Sequence, residues 1–523
     1  MTCPTRIIRF LHDLAACPGQ GAAREELEGP GMSSKKKAYV ETYGCQMNIS
    51  DGELMSGVLA ARGYELVSSP EEADVVLVNT CAVREHAEQR VLGRVAQLGG
   101  LKERNPGLVI GVTGCMAQRM GTELLRKAPH VDMVMGPDGY RSLPNALGSV
   151  FLGRNGSGSG EVGESLTVPG GGGSVASTPG AAPPAAIPLV HLEGTRRKGR
   201  PGVAVLDLDP HEDYEGLELR RTSRVSAWVS IQRGCDHRCT FCIVPTVRGS
   251  EKNRNPRAVL DEVRAVAEEG ITEVTLLGQT VNSYRAGDWD FPRLLRAVAR
   301  VPGIRRVRFT SPHPNDVTPE LVETMASEPA VCEQLHLPLQ AGNDRTLKRM
   351  LRRHTMEEYL AKVEMVRSAI PRVALSTDLI VAFPGETDAE FRDTLAVVKE
   401  VRFDDAFTYR FSPREGTPAT RFPLEDFVAA EEGQARLDEL IRLTRGIQGE
   451  INEGEVGRLE EVLVEREGRE DGFMLGRTRR NKVAVFPGAE DLLGSYLTLQ
   501  LTRTTGATFV GVPVTGRASP EPR

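Results

Sequence analysis

The sequence predicts an α/β protein in three folded parts: an N-terminal Rossmann-like α/β domain over residues 35–150, a central partial (β/α)6 barrel over 220–453, and a small C-terminal β-barrel over 454–518. Three observations predict it. Apolar strand-like runs alternate with helical patterns across residues 36–150. The same alternation recurs six times across 224–452, and it implies parallel sheets with right-handed crossovers. Beyond residue 455 the pattern changes to short strands bounded by turn signals. A length of 523 residues accommodates three to four domains at about 150 residues each.

In chain order, residues 1–34 read as a disordered extension, or as the product of a misassigned start with Met32 as the true one. Ile7, Ile8, Phe10 and Leu11 are interrupted by Arg9, and Asp13, Glu25, Glu26 and Glu28 follow, so neither a signal peptide nor a transit peptide fits. Strands are expected at Lys37–Tyr43, Ala73–Asn79 and Leu108–Thr113, with helices from Asp51 to Arg62 and from Arg84 to Arg104. Residues 151–202 carry a Gly/Pro-rich insert, with runs such as Gly170-Gly171-Gly172-Gly173, too poor in apolar side chains to fold; they read as a flexible linker. Central strands are expected at Val225–Ile231, Glu273–Leu277, Arg306–Thr310, Glu333–Leu337, Val373–Val381 and Asp405–Phe411, and a last helix at Ala430–Asn452. In such barrels chemistry sits at the C-terminal ends of the strands. Leu459–Val464, Val483–Phe486 and Tyr496–Leu501 are the expected strands of the terminal module.

Lys plus Arg number 65 and Asp plus Glu 71, a net charge of −6. That excludes a highly basic nucleic-acid coat protein but not an enzyme with a local basic patch, and Arg477, Arg479, Arg480 and Lys482 form such a cluster. They are candidate RNA-phosphate contacts; the alternative is a solvated turn. No apolar run reaches the roughly 18–20 residues of a membrane span, so no membrane partner is expected and the expectation is a cytoplasmic protein.

Nine cysteines, an odd number without a secretion signal, argue against a disulfide framework and for metal or redox chemistry. Cys235, Cys239 and Cys242 stand in a C-x3-C-x2-C loop directly after the first central strand. Three thiolates there can hold three irons of a cubane cluster and leave the fourth open to a ligand; a zinc knuckle with a distant fourth ligand is the alternative. Cys45, Cys81 and Cys115 are 36 and 34 residues apart, and each follows a predicted strand. Three consecutive parallel strands put their C-terminal ends on one rim, so these thiols can converge on a second cluster with one open iron; three unrelated buried cysteines are the alternative. Cys332 reads as a core residue, and Cys3 and Cys17 as part of the tail. Gln279 and Asn282, after the second central strand, and Gln340, after the fourth, are candidate cofactor or base contacts, with loop structure as the alternative reading. His313, His336 and His354 are read as structural or substrate-facing rather than as metal ligands.

At these residues the chain resembles a known family. Tyr39–Asn48, Asn79–Arg84 and Thr113–Gln118 look like the N-terminal domain of methylthiotransferases. Arg233–Gly249, Leu276–Tyr284, His336–Gly342 and Asp378–Thr387 look like their radical S-adenosylmethionine (radical SAM) domain, and Gly476–Lys482 like their RNA-binding TRAM module. The likeness covers Lys36 to about residue 515 except for the insert, and it is greatest to the MiaB-type branch, which modifies tRNA. Thr280 stands where that branch has asparagine, and Thr246-Val247 where it has an aromatic.

The resemblance implies two 4Fe-4S clusters. The one on Cys235, Cys239 and Cys242 would bind S-adenosylmethionine and cleave it to a radical. The one on Cys45, Cys81 and Cys115 would carry the sulfur. The radical would take hydrogen from C2 of N6-isopentenyladenosine 3′ of the anticodon, and a methylthio group would be joined there. The implied partners are the tRNA anticodon stem-loop and an electron donor such as flavodoxin or ferredoxin. Two alternatives share this chemistry, one acting on threonylcarbamoyl-adenosine in tRNA and one on an aspartate of a ribosomal protein. A third is of another class, a non-enzymatic metal- or RNA-binding protein.

Overall fold

The computed structural model describes residues 35–82, 85–154, 190–192 and 202–514. The chain forms two compact units. One is built from residues up to Gly44, Leu54–Asp209 and Leu217–Leu219. The other is built from Cys45–Glu53, Pro210–Gly216 and Arg220 onward.

The first unit carries a seven-stranded sheet in the order Glu65–Leu66, Lys37–Thr42, Val75–Thr80, Val109–Gly114, Met133–Met135, Gly202–Val205, Val190–Leu192. Every neighbouring pair is parallel except the last. Val75–Thr80 and Val109–Gly114 are buried along their whole length, as strands covered on both faces must be. Four of the seven strands carry no usable sequence signal, being two to four residues long. The Gly/Pro-rich insert expected at 151–202 is corrected at its edges: the helix Leu143–Arg154 runs into it, and Val190–Leu192 pairs as a strand inside it. Gly202 opens the strand Gly202–Val205, and residues 155–189 and 193–201, with the extension expected at 1–34, lie outside the described residues.

In the second unit six parallel strands follow one another: Ser226–Ser230, Glu273–Leu277, Arg306–Phe309, Gln334–His336, Ala374–Val381 and Asp405–Arg410. The first three and the last three form two sheets. The third strand is stitched to the approach of the fourth by Val307 N to Ala330 O (2.7 Å) and Cys332 N to Val307 O (3.0 Å). One face of the first five strands supplies the main apolar core, through Val229, Val274, Leu276, Val307, Leu335, Leu375 and Leu379 against the surrounding helices. Those helices start at side-chain caps: Asn255 and Thr318 each precede a proline at the first helical turn, and Thr355 and Thr387 form capping boxes with Glu358 and Glu390.

The helix Ala430–Glu453 leads into a closed five-stranded barrel of Leu459–Glu467, Phe473–Thr478, Val483–Pro487, Thr508–Pro513 and Tyr496–Thr504. Val462, Val464, Met474, Phe486, Leu499 and Phe509 fill it. Phe473–Thr478 and Thr508–Pro513 complete it beside the three strands named from the sequence.

Candidate active site

The C-x3-C-x2-C loop is a tied-off ring. Gln232–Arg233 pairs antiparallel with Lys252–Asn253, which pins both ends. Gly234 lies between the ladder and the first cysteine at φ +75°, and a Cβ there would stand 2.0 Å from the Ser250 carbonyl oxygen, so only glycine passes. Cys235 N donates to Gly249 O at 3.2 Å, and Cys242 N to Cys239 O at 3.0 Å. Arg233 and Arg248, which flank the loop, share the buried carboxylate of Asp51 at 3.0 and 2.7 Å.

Cys235 and Cys239 are buried and Cys242 is half-buried. Burial pushes the Cys235 thiol up against the pull of a hydrogen bond to Thr280, whose Oγ1 lies 3.1 Å from the sulfur. Burial, with Cys239 close by, pushes Cys242 up to about 12. Such thiols ionise only when a cation compensates them, which a bound metal does outright. Arg352 Nη1 donates to Cys239 Sγ at 3.6 Å while its Nη2 holds Pro338 O at 3.1 Å. Arg352 lies 110 residues from the loop in sequence, and no sequence signal marked it.

Among the described residues the one group of three or more metal-binding side chains whose donor atoms all lie within 4.8 Å of one another is His237, His313 and Asp316. The His237 and His313 rings are stacked at 3.9 Å with 7° between their planes. A metal lies near the plane of each imidazole that binds it, and two parallel stacked planes do not share one, so this group is a ring stack rather than a metal centre. Burial keeps His313 neutral, and its Nδ1 accepts from Asn315 N at 3.2 Å. Burial lowers His354 to about 4; its Nδ1 meets Asn315 Oδ1 at 3.1 Å.

The other triad follows the sheet of the first unit. Lys37–Thr42, Val75–Thr80 and Val109–Gly114 are neighbours, with Thr42 opposite Asn79 and Thr80 opposite Gly114. Cys81 and Cys115 follow the last residues of their strands directly, and Cys45 comes three residues after Thr42. Gly114, at φ +88° and ψ −161°, turns the chain out of its strand into the helix that Cys115 opens.

The remaining candidates divide. Gln279 Oε1 is buried with no hydrogen-bond partner among the described residues, an acceptor still to be used. Asn282 is not so placed: its Nδ2 donates to His313 O at 2.9 Å and its Oδ1 accepts from His313 N at 2.7 Å, so its carboxamide ties loops together. Gln340 adopts φ +71° and knits the fourth strand to the fifth through its backbone, accepting from Ile380 N at 2.8 Å. Cys332 is buried.

The basic cluster differs from both sequence readings. Arg480 is buried against Glu455, with both contacts at 2.6 Å, and against Glu460 at 3.0 Å. Lys482 is buried against Glu455 and Asp404. Arg479 reaches Glu333 and the carbonyls of Pro329 and Val331, and Arg477 reaches Glu465. From the other side, Arg306 and Arg308 donate to the carbonyls of Arg477, Thr478 and Arg479. Arg479 and Lys482 tie the terminal barrel to the strand starts of the central one, Arg477 and Arg480 are paired within the terminal module, and the four are not a free face for phosphates.

Three family models match: the uncharacterized protein family UPF0004 over residues 37–136, the radical SAM superfamily over 229–398, and the TRAM domain over 453–511. A tRNA-2-methylthio-N(6)-dimethylallyladenosine synthase of Prosthecochloris aestuarii is 40% identical over 479 residues, 91% of this chain and 98% of its own. One of Carboxydothermus hydrogenoformans is 41% identical over 477 residues, 90% and 97%. Among solved structures, the radical S-adenosylmethionine methyltransferase TsrM of Kitasatospora setae, with cobalamin and a [4Fe-4S] cluster bound, aligns with a TM-score of 0.50 at 12% identity, over 74% of this chain and 77% of that one. At that identity the likeness is one of fold. No helix of the described residues is long and apolar enough to cross a membrane.

Proposed function

The chain belongs to the family of tRNA-2-methylthio-N(6)-dimethylallyladenosine synthases, and from that premise we propose how its residues divide the work. It is an enzyme, a radical SAM tRNA methylthiotransferase that adds a methylthio group to N6-dimethylallyladenosine in tRNA. The observation that carries this reading is identity of 40–41% along nine-tenths of the chain.

In the proposal two separate 4Fe-4S clusters are held, one by Cys235, Cys239 and Cys242 and one by Cys45, Cys81 and Cys115. When bound, the first cluster with S-adenosylmethionine supplies the radical that an unactivated C–H bond requires. The chain's own groups do the rest. Thr280 and Arg352 donate toward the sulfurs of Cys235 and Cys239 and offset the charge that gathers there. Gln279 offers its unused Oε1 to the amino group of the cofactor. Burial of Cys235 and Cys239 limits the access of water to their sulfurs. A one-electron donor of the flavodoxin or ferredoxin kind completes the proposal.

The test is iron and sulfide content after anaerobic reconstitution, wild type beside a Cys45/Cys81/Cys115 triple alanine. About eight irons falling to about four supports two clusters. About four in both removes the sulfur-carrying half of the reading, and tightly bound zinc with two irons or fewer removes the enzyme. Cys239→Ala is expected to abolish cofactor cleavage. Cys81→Ala is expected to retain cleavage but form no methylthio product.

A further inference from the structure

On the second central sheet the inner face is polar and open. Along Ala374–Val381 burial alternates: Leu375, Thr377, Leu379 and Val381 are covered, while Ser376, Asp378 and Ile380 are only half-buried. Register sets His336 opposite Ser376 and Asp378 opposite Phe407. His336 is held at both nitrogens, Nδ1 to Ser376 Oγ at 3.0 Å and Nε2 to Asp378 Oδ2 at 3.2 Å. A carboxylate only accepts, so Nε2 carries the proton and Nδ1 takes the serine hydroxyl. Beside them Phe407 is 47% exposed, the one aromatic among the large exposed apolar side chains of the described residues, and it meets the His336 ring edge-on at 5.9 Å.

We propose that this face, Phe407 with the His336–Asp378 pair and Ile380, is the recognition surface for the target adenosine of the tRNA. The inference rests on the function proposed above. An exposed phenyl is a stacking platform for a base. Asp378, oriented by His336 through one oxygen and 28% exposed, has the other oxygen to accept a proton donor. An N6-alkylated adenine offers one such N–H, and its dimethylallyl arm is apolar, matching Phe407 and Ile380. S-adenosylmethionine also brings an adenosine. However, the cysteine loop that anchors it leaves the first strand, in the other three-stranded sheet, where Gln279 also lies. S-adenosylmethionine also has no dimethylallyl arm to fill the apolar part of this face, and its affinity, measured separately, tells the two adenosines apart.

The test uses reconstituted full-length protein and two anticodon stem-loops, with and without the N6-dimethylallyl group. Equilibrium binding is read by anisotropy, and S-adenosylmethionine affinity is measured separately. Wild type is expected to prefer the alkylated loop by about tenfold, the worth of a few buried carbons. Phe407→Ala is expected to erase that preference, and Asp378→Asn to weaken both loops, with cofactor affinity within twofold of wild type in each variant. A preference that survives Phe407→Ala, with methylthio product formed, overturns this inference alone. A collapse of cofactor affinity assigns the face to S-adenosylmethionine and overturns it as well. No methylthio product from wild type on either loop overturns the reading beneath it too.

Discussion

Arg480→Ala separates a buried structural ion pair from a phosphate contact. In the structure Arg480 is buried and spends both terminal nitrogens on the two oxygens of Glu455, with a further bond to Glu460. Removing one partner of a buried pair costs about 3–5 kcal/mol, because the other charge stays behind without it. Lys482 remains 2.9 Å from Glu455, so the lower end, about 3 kcal/mol, is expected. For a unit of roughly 320 residues, at about 2.1 cal/mol/K of unfolding entropy per residue, that is a fall in Tm of about 4–5 °C by calorimetry. The same pair sets a pH signature. Burial alone would raise Glu455, but Arg480 and Lys482 outweigh it and hold its carboxyl below the ordinary 4.5. Its stabilising contribution is therefore full above 4.5 and lost as pH falls through the depressed value. Arg480→Ala is expected to flatten that acid limb. The rival outcome is as definite. A phosphate contact would leave Tm unchanged and reduce the slope of log affinity for tRNA against log salt by about 0.7–0.9. That pattern would refute the structural reading of Arg480.

Glu386 titrates in the opposite sense. Burial raises it to about 7, its Oε2 is held by Ala382 N and Arg436, and its Oε1 is buried without a partner among the described residues. Its contribution is full below 4.5 and falls as pH rises through about 7; Glu386→Gln is expected to flatten thermal stability between those values, and an unchanged slope there would remove Glu386 as its source. Asn282→Ala strands the His313 N–H and C=O, a cost of about 2–3 kcal/mol, so Tm falls while cofactor affinity of the folded protein holds. Loss of that affinity at unchanged Tm would return Asn282 to the cofactor.

Legibility followed periodicity and locality. Glu273–Leu277 matches its expectation to the residue, and the other five central strands fall within two residues of theirs, because buried strands between capped helices carry both an apolar run and its stops. Met133–Met135 and Gly202–Val205 were invisible because three or four residues hold no period. The cysteine loop was legible because its chemistry is contiguous, whereas Arg352 was not, because only folding brings residue 352 to residue 239. The basic cluster misled for a related reason. Sequence shows four cations within six residues but not the carboxylates of Glu333, Asp404, Glu455, Glu460 and Glu465 that meet them from elsewhere. His336, Asp378 and Phe407 belong to three different strands, and only register makes them one surface.

The two triads are assembled by different means, yet each depends on a glycine that immediately precedes a cysteine. Gly234 releases Cys235 from a two-residue ladder, and Gly114 releases Cys115 from a sheet strand. Gly114 sits at φ +88° and ψ −161°, a region essentially reserved for glycine, and a Cβ there would stand 2.4 Å from Asn79 Oδ1 and 2.6 Å from Thr80 O. At Gly234 the obstacle is the Ser250 carbonyl at 2.0 Å. In both cases backbone must move, and the conformational penalty alone is about 1–3 kcal/mol. The displacement falls on the adjacent sulfur, so alanine should act on one cluster and spare the other. Gly234→Ala is expected to lose about four irons together with cofactor cleavage, while Gly114→Ala loses about four irons and keeps cleavage. If both variants lose all iron, the triads are not independent sites. If Gly114→Ala keeps all of it, Cys115 is no ligand, and the placement of Cys81 and Cys115 directly after neighbouring strands is coincidence.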